Sequence, residues 1–286
     1  MEQIKTKMVD KNNILQIEKV LKSKTKNLIM IAPSFVTDFS YPSIIHQLKK
    51  LGFDKVVELT FGAKMINREY HKQLQRTKKL LIASTCPGSV TTIENNYPEL
   101  KNQIIKIDSP MIAMSKICSK YFPKYKIFFL SPCDFKKVEA KQHKEVDYVI
   151  DFKQLKELFV KYKIKENNSK TQFDKFYNDY TKIYPLGGAL SKTAHLKGIL
   201  TKKQIKITDG AQNILTFLKN PKKEILFLDC LFCKGGCIGG PHTNQNISIA
   251  KKKKLIKQYL KKSKKEDILE NKKGLIKKAT GIKFTS

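Results

Sequence analysis

The chain has 286 residues, 41% of them apolar, enough for one large domain or two lobes around a real core. Its net charge is +32, yet all but Arg68 and Arg76 of its 57 basic residues are lysine, spread along the whole sequence. Readers of nucleic acid favour arginine's planar fork, so a polyanion partner is the weaker reading. A lysine-rich compositional bias accounts best for the charge, with a polyanion partner and then docking of an acidic redox protein as the lesser readings. No apolar run approaches the roughly 18 residues of a membrane helix, and residues 1–7 carry no apolar segment of the signal-peptide kind. A cytoplasmic location and reduced cysteines are therefore expected.

Residues 1–26 are expected to open the chain as a helical segment. Strands are expected over Asn27–Ile31, Lys55–Thr60, Lys79–Ala83, Tyr125–Leu130, Val146–Phe152 and Glu224–Leu228. Helical patterns lie between them. Ile44, Ile45, Leu48 and Leu51 make one apolar face ended by Gly52. Ser109 followed by Pro110 starts a second helix as cap and first-turn proline. Alternating strands and helices predict an α/β fold with mainly parallel sheets flanked by helices. Residues 161–181 are polar and read as a loop. Leu255, Ile256, Tyr259 and Leu260 give the segment after Lys251 an amphipathic stripe, and beyond Lys261 a frayed lysine-rich tail is expected.

Ligands of such folds bind outside the carboxyl ends of the strands. Three predicted strands run into a cysteine there: Leu80 to Cys86, Ile127 to Cys133, and Ile225 to Cys233. The last continues as Cys233-Lys-Gly-Gly-Cys237-Ile-Gly-Gly-Pro241. Cys86, Cys133, Cys233 and Cys237 form the best four-ligand set. Four thiolates suit one 4Fe–4S cubane or one tetrahedral zinc, and spacing alone leaves both open. Zinc knuckles usually pair two short motifs, whereas only one short pair exists here, which favours a cluster in the heart of the fold. Cys118, on a helix face, and Cys230 read as packing residues. The five histidines read as structural or surface groups, with His242 the one placed to approach the cluster.

Ser84-Thr-Cys86-Pro87, Ser131-Pro-Cys133-Asp-Phe-Lys136-Lys-Val-Glu139 and the Cys233–Pro241 stretch resemble, in order and separation, the three signatures of the [FeFe]-hydrogenase catalytic domain. Ala32-Pro33-Ser34, Phe61-Gly-Ala63, Tyr97-Pro-Glu-Leu100 and Ser109-Pro110 add secondary matches, and the likeness covers roughly residues 27–260. It implies two lobes, over residues 27–124 and 125–260, with the metal cluster between them at strand ends and residues 261–286 as the tail. It also implies an H-cluster, in which a 4Fe–4S cubane is bridged to a di-iron unit carrying CO and cyanide. Cys86, Cys133 and Cys233 match cubane ligands and Cys237 the bridge. Lys136 matches a donor to one cyanide. Ser34, with Ala32 and Pro33, would face the other. Glu139 matches a proton-path carboxylate, and Ser109 and Leu231 would also border the cofactor. An i, i+3 surface ion pair remains an alternative for Lys136 and Glu139, as does a plain strand-end turn for Ala32–Ser34.

The departures fall on proton relay. Thr85 occupies the position of a shuttling cysteine, and Ile105 that of a relay serine. Ser131 and Leu231 replace methionines, Asp229 a glutamate, and Ser89 a tryptophan. These changes resemble the branch associated with sensing or slow catalysis. The resemblance takes in no ferredoxin-like segment, and two spare cysteines are too few for another cubane. Electrons are then expected directly from an acidic ferredoxin or a ferredoxin-domain protein. The function implied is a ferredoxin-type hydrogenase or a dihydrogen sensor. A cubane-only protein of iron–sulfur assembly or electron transfer is the alternative, and a basic zinc-containing nucleic-acid binder a third.

Overall fold

In the computed structural model, residues 14–285 are described. The expected helix at 1–26 lies partly outside them; within them, residues 14–21 are helical.

Among the described residues, seven strands form two parallel sheets. The first holds β1 (Lys26–Ile31), β2 (Lys55–Glu58), β4 (Tyr125–Ser131) and β5 (Tyr148–Asp151) in the order β2-β1-β4-β5. The second holds β3 (Leu81–Ile82), β6 (Ile205–Asp209) and β7 (Phe227–Leu231) in the order β3-β7-β6. Strands from both sides of residue 125 enter the first sheet, and likewise the second. The sheets are thus not divided at that residue: the chain visits the second sheet through β3 and returns for β4 and β5.

Side-chain alternation in β1 and β4 divides the core. Leu28, Met30, Ile127 and Phe129 face one cluster, shared with Phe227 of the second sheet and Ile112, Met114 and Ile117 of the Pro110–Tyr121 helix. Ile29, Ile31, Phe128 and Leu130 face another, under the Ser43–Leu51 and Phe152–Lys161 helices. Both faces of these strands are buried, which explains their near-continuous apolar sequence. Gly52 adopts the left-handed cap read from the sequence.

The structure corrects three expectations. The last strand spans Phe227–Leu231 rather than Glu224–Leu228, because Lys222–Ile225 closes a turn through an Ile225 N–H to Lys222 C=O bond of 3.0 Å. Strand β6 was not anticipated; it is a half-exposed edge strand, and Ile-Lys-Ile-Thr-Asp carries no apolar run. The tail is not frayed. Ala279 and Phe284 are buried in the main core, and the Asp108 amide donates to the Phe284 carbonyl across 2.9 Å. Apolar residues scattered among lysines give no periodic signal, yet these two pack into the main core. The polar 161–181 loop is pinned in the same way by buried Phe173, Phe176 and Tyr177.

Candidate metal centre

The strand order of the first sheet reverses direction between β1 and β4, the kind of point at which open α/β sheets leave a crevice at their carboxyl ends. Ala32-Pro33-Ser34 leaves β1 there, and Pro132-Cys133 leaves β4. Across from them, Thr85-Cys86 follows β3, and Cys233 and Cys237 follow β7. Proline fixes two of these exits: Pro33 begins the Pro33–Thr37 turn of 3-10 helix and Pro87 the Pro87–Asn96 helix, with Ala32 and Cys86 as the caps.

The four predicted thiols converge. Each of Cys133, Cys233 and Cys237 has its pKa raised first by burial and then by other members of the set: Cys133 by Cys86, Cys233 by Cys133 and Cys86, and Cys237 by all three. Cys233 is pushed up to about 12. A cationic metal reverses the sign of both causes, since it favours thiolates that the metal-free protein disfavours. Four soft donors from three separate strand exits suit an iron–sulfur cluster or zinc alike. The Phe232 amide aims at the Cys86 sulfur, 3.5 Å away, the kind of N–H···S contact that tunes bound clusters. Cys118 and Cys230 are both fully buried, and burial raises their thiols far above the ordinary range, as befits inert packing residues.

Beside the thiols lies a mainly apolar cavity of about 80 Å³. Ala32, Pro33, Ser34, Thr85, Lys136 and Leu231 all line it, together with Cys86, Cys133 and Cys237. Ser34 is fully buried and its Oγ has no hydrogen-bond partner among the described residues. Such an orphan costs about 1–3 kcal/mol unless something polar meets it, so the cavity fits a ligand with its own acceptors or donors. Lys136 supplies the one cation of the lining among the described residues, bonded to Glu139 at 2.7 Å.

Two predicted residues lie elsewhere. Glu139 and Ser109 line a neighbouring groove with Ile105, and Pro87 borders both spaces. The Ser109 Oγ accepts the Ile112 amide as a helix cap, at 3.5 Å. His242 meets the edge of the site: its Nε2 bonds Asp134, next to Cys133, at 2.8 Å and holds that carboxyl below the usual range. Its amide donates to the Pro132 carbonyl across 3.1 Å, which ties the two cysteine loops together.

Sequence reasoning missed the far wall. Thr60, Thr181 and Tyr184 line the cavity too. Thr181 donates to the Thr60 carbonyl across 2.6 Å. Behind them, Lys182 and Tyr259 both bond Glu58, all three buried. The signal was faint: a lysine and a threonine amid a polar loop, with no strand end to mark them.

Residues 25–241 match the model of the family described as "Iron only hydrogenase large subunit, C-terminal domain". Iron hydrogenase 1 of Clostridium pasteurianum is 26% identical over 257 residues, covering 69% of this chain and 45% of that protein, so the chain spans less than half of that relative. A solved [FeFe]-hydrogenase structure concerned with stepwise H-cluster assembly superposes with a TM-score of 0.68 at 15% identity, covering 91% of each chain. A variant of the Chlamydomonas reinhardtii [FeFe]-hydrogenase gives 0.66 at 15% identity, covering 92% of this chain and 90% of that one.

Proposed function

The chain is a divergent member of the iron-only hydrogenase catalytic-domain family, and from that premise we propose that it holds an H-cluster and interconverts or senses dihydrogen. One observation supports this above others. Four thiols converge from both sheets beside an apolar cavity whose lining holds an unpartnered Ser34 hydroxyl and the Lys136 ammonium.

When bound, the cofactor supplies the redox and dihydrogen-activating chemistry. Cys86, Cys133 and Cys233 would hold the cubane, and Cys237 the bridge to the di-iron unit. The Lys136 ammonium has three N–H donors and gives one to Glu139, which leaves donors for a cyanide nitrogen. Ser34 offers its free hydroxyl to another. The apolar walls exclude water, which strengthens both contacts. Thr85 stands 6% exposed at the cavity wall, where its hydroxyl passes a proton only by exchange of hydrogen bonds. Ile105, buried, carries none. The chain therefore suits slow turnover or sensing better than bulk hydrogen production.

Cys118 and Cys230, the two cysteines of this sequence outside the set, are too few for a second cubane, and a group of ferredoxin type would deliver electrons to the cluster. Lys234, next to Cys233 in sequence, is exposed and would favour an acidic partner. An acidic partner's association rate should then fall with salt.

Anaerobic loading with iron, sulfide and a di-iron precursor, followed by metal analysis and an infrared spectrum, tests the proposal. About four cubane irons with CO and cyanide bands are expected. A cubane without those bands would leave the cubane-only reading. Zinc without iron would remove both.

A further inference from the structure

Tyr184 and Pro185 line the cavity beside Cys237. Their segment is fastened to that cysteine. The Cys237 amide donates to the Pro185 carbonyl across 2.8 Å, and a Cβ on Gly236 would stand 2.4 Å from the same oxygen. Tyr184 thus has little freedom to move away from the site.

Its hydroxyl is buried and has no hydrogen-bond partner among the described residues. Tyr70, Asp229 and Cys237 are near enough to act on it electrostatically, but none bonds it. The Tyr70 hydroxyl is engaged with Ser84 at 2.8 Å, and Asp229 accepts both the amide and the hydroxyl of Ser191 at 2.9 and 2.7 Å. A phenylalanine would fill the same space without an orphan hydroxyl, whose burial is unfavourable. A phenol carries one O–H donor, and this one has nothing among the described residues to donate to.

We infer that the Tyr184 hydroxyl is a hydrogen-bond donor kept for the metal centre at Cys237, acting on that sulfur or on a ligand of the unit it bridges. The inference rests on the H-cluster reading above. A hydrogen bond to a cluster sulfur or to an anionic ligand withdraws electron density and raises the reduction potential. Ser34 and Lys136 are then joined by a third donor, from the loop that the strand ends do not mark.

Tyr184→Phe removes one oxygen and nothing else. Wild type and variant, loaded with cubane and di-iron unit, are compared by infrared-monitored redox titration. The expected result is equal occupancy, displaced CO and cyanide bands and a more negative midpoint in the variant. Bands and midpoints that coincide would overturn the inference while leaving the H-cluster in place. Bands missing from both chains would overturn the H-cluster reading, and this one with it. Thermal unfolding of the metal-free full chain gives an independent check. The variant should melt at or above wild type, because it sheds an orphan group. A lower melting temperature would reveal a protein partner for the hydroxyl and defeat the inference.

Discussion

Lys136 and Glu139 are joined across 2.7 Å, each side chain 12% exposed, with Lys136 in the lining of the cavity and Glu139 in that of the adjacent groove. One ion pair thus bridges the two spaces. The i, i+3 pair foreseen as a plain alternative exists, but it joins the cavity to the groove instead of lying on an open surface. Lys136→Ala should leave the cubane in place and weaken retention of the di-iron unit by about tenfold or more, the worth of one charge-assisted hydrogen bond. Iron content together with CO-band area after gel filtration checks this; full retention would show that the ammonium serves Glu139 alone.

The four convergent thiols should be individually necessary. Serine at Cys86, Cys133, Cys233 or Cys237 is expected to reduce bound iron and sulfide to a small fraction. Alanine at Cys118 or Cys230 should preserve both and cost about 1 kcal/mol through lost burial. Metal counts on the six variants decide between this ligand set and any other.

Thr85→Cys places a thiol where the hydroxyl lines the cavity. A thiol is far more acidic than a hydroxyl, so the variant can release and recapture a proton that Thr85 can only pass on. Turnover of the loaded chain should rise roughly tenfold to hundredfold, at the low end of what a positioned acid–base group contributes. An unchanged rate would place the block further out, at Ile105 first.

Gly236 has φ +82, and any Cβ would meet the Pro185 oxygen at 2.4 Å. Gly236→Ala is expected to destabilise by at least about 1–3 kcal/mol and to lower metal retention, since Cys237 follows directly. Gly281 has φ +78 but open space around it, so Gly281→Ala isolates the backbone strain from the clash. Comparable losses in the two variants would mean that the close approach to Pro185 contributes nothing.

Asp229 is buried, and burial raises its carboxyl above the ordinary 3.8 despite two hydrogen bonds from Ser191. The folded chain therefore holds a proton that the unfolded chain releases. Its contribution to stability is complete below pH 3.8 and is lost as pH rises through the higher folded value. Asp229→Asn keeps an acceptor for Ser191 and does not titrate. Melting temperatures should show the wild type losing ground to the variant as pH climbs above about 4; parallel curves would mean that the site stays ionised.

The sequence by itself determined the parallel α/β class, the three strand-to-cysteine exits and the family, because those features are local. A buried parallel strand must be apolar throughout, and a cysteine just past its end stands out in the sequence. It also placed Ala32–Ser34, Thr85, Lys136 and Leu231, which the tertiary structure gathers into one cavity. Only the tertiary structure decided the rest. Edge strand β6 is half polar because one side faces solvent, so no apolar run announces it. Ala279 and Phe284, helped by Ile282, anchor a tail whose lysines read as disorder, since a few scattered apolar residues leave no periodic pattern. Ser109 caps a helix instead of facing the cavity, a matter of which way one hydroxyl turns. Tyr184 reaches the site from a loop far from any strand exit, because its neighbour Pro185 is bonded to Cys237, a contact 52 residues apart in sequence that no pattern of spacing records.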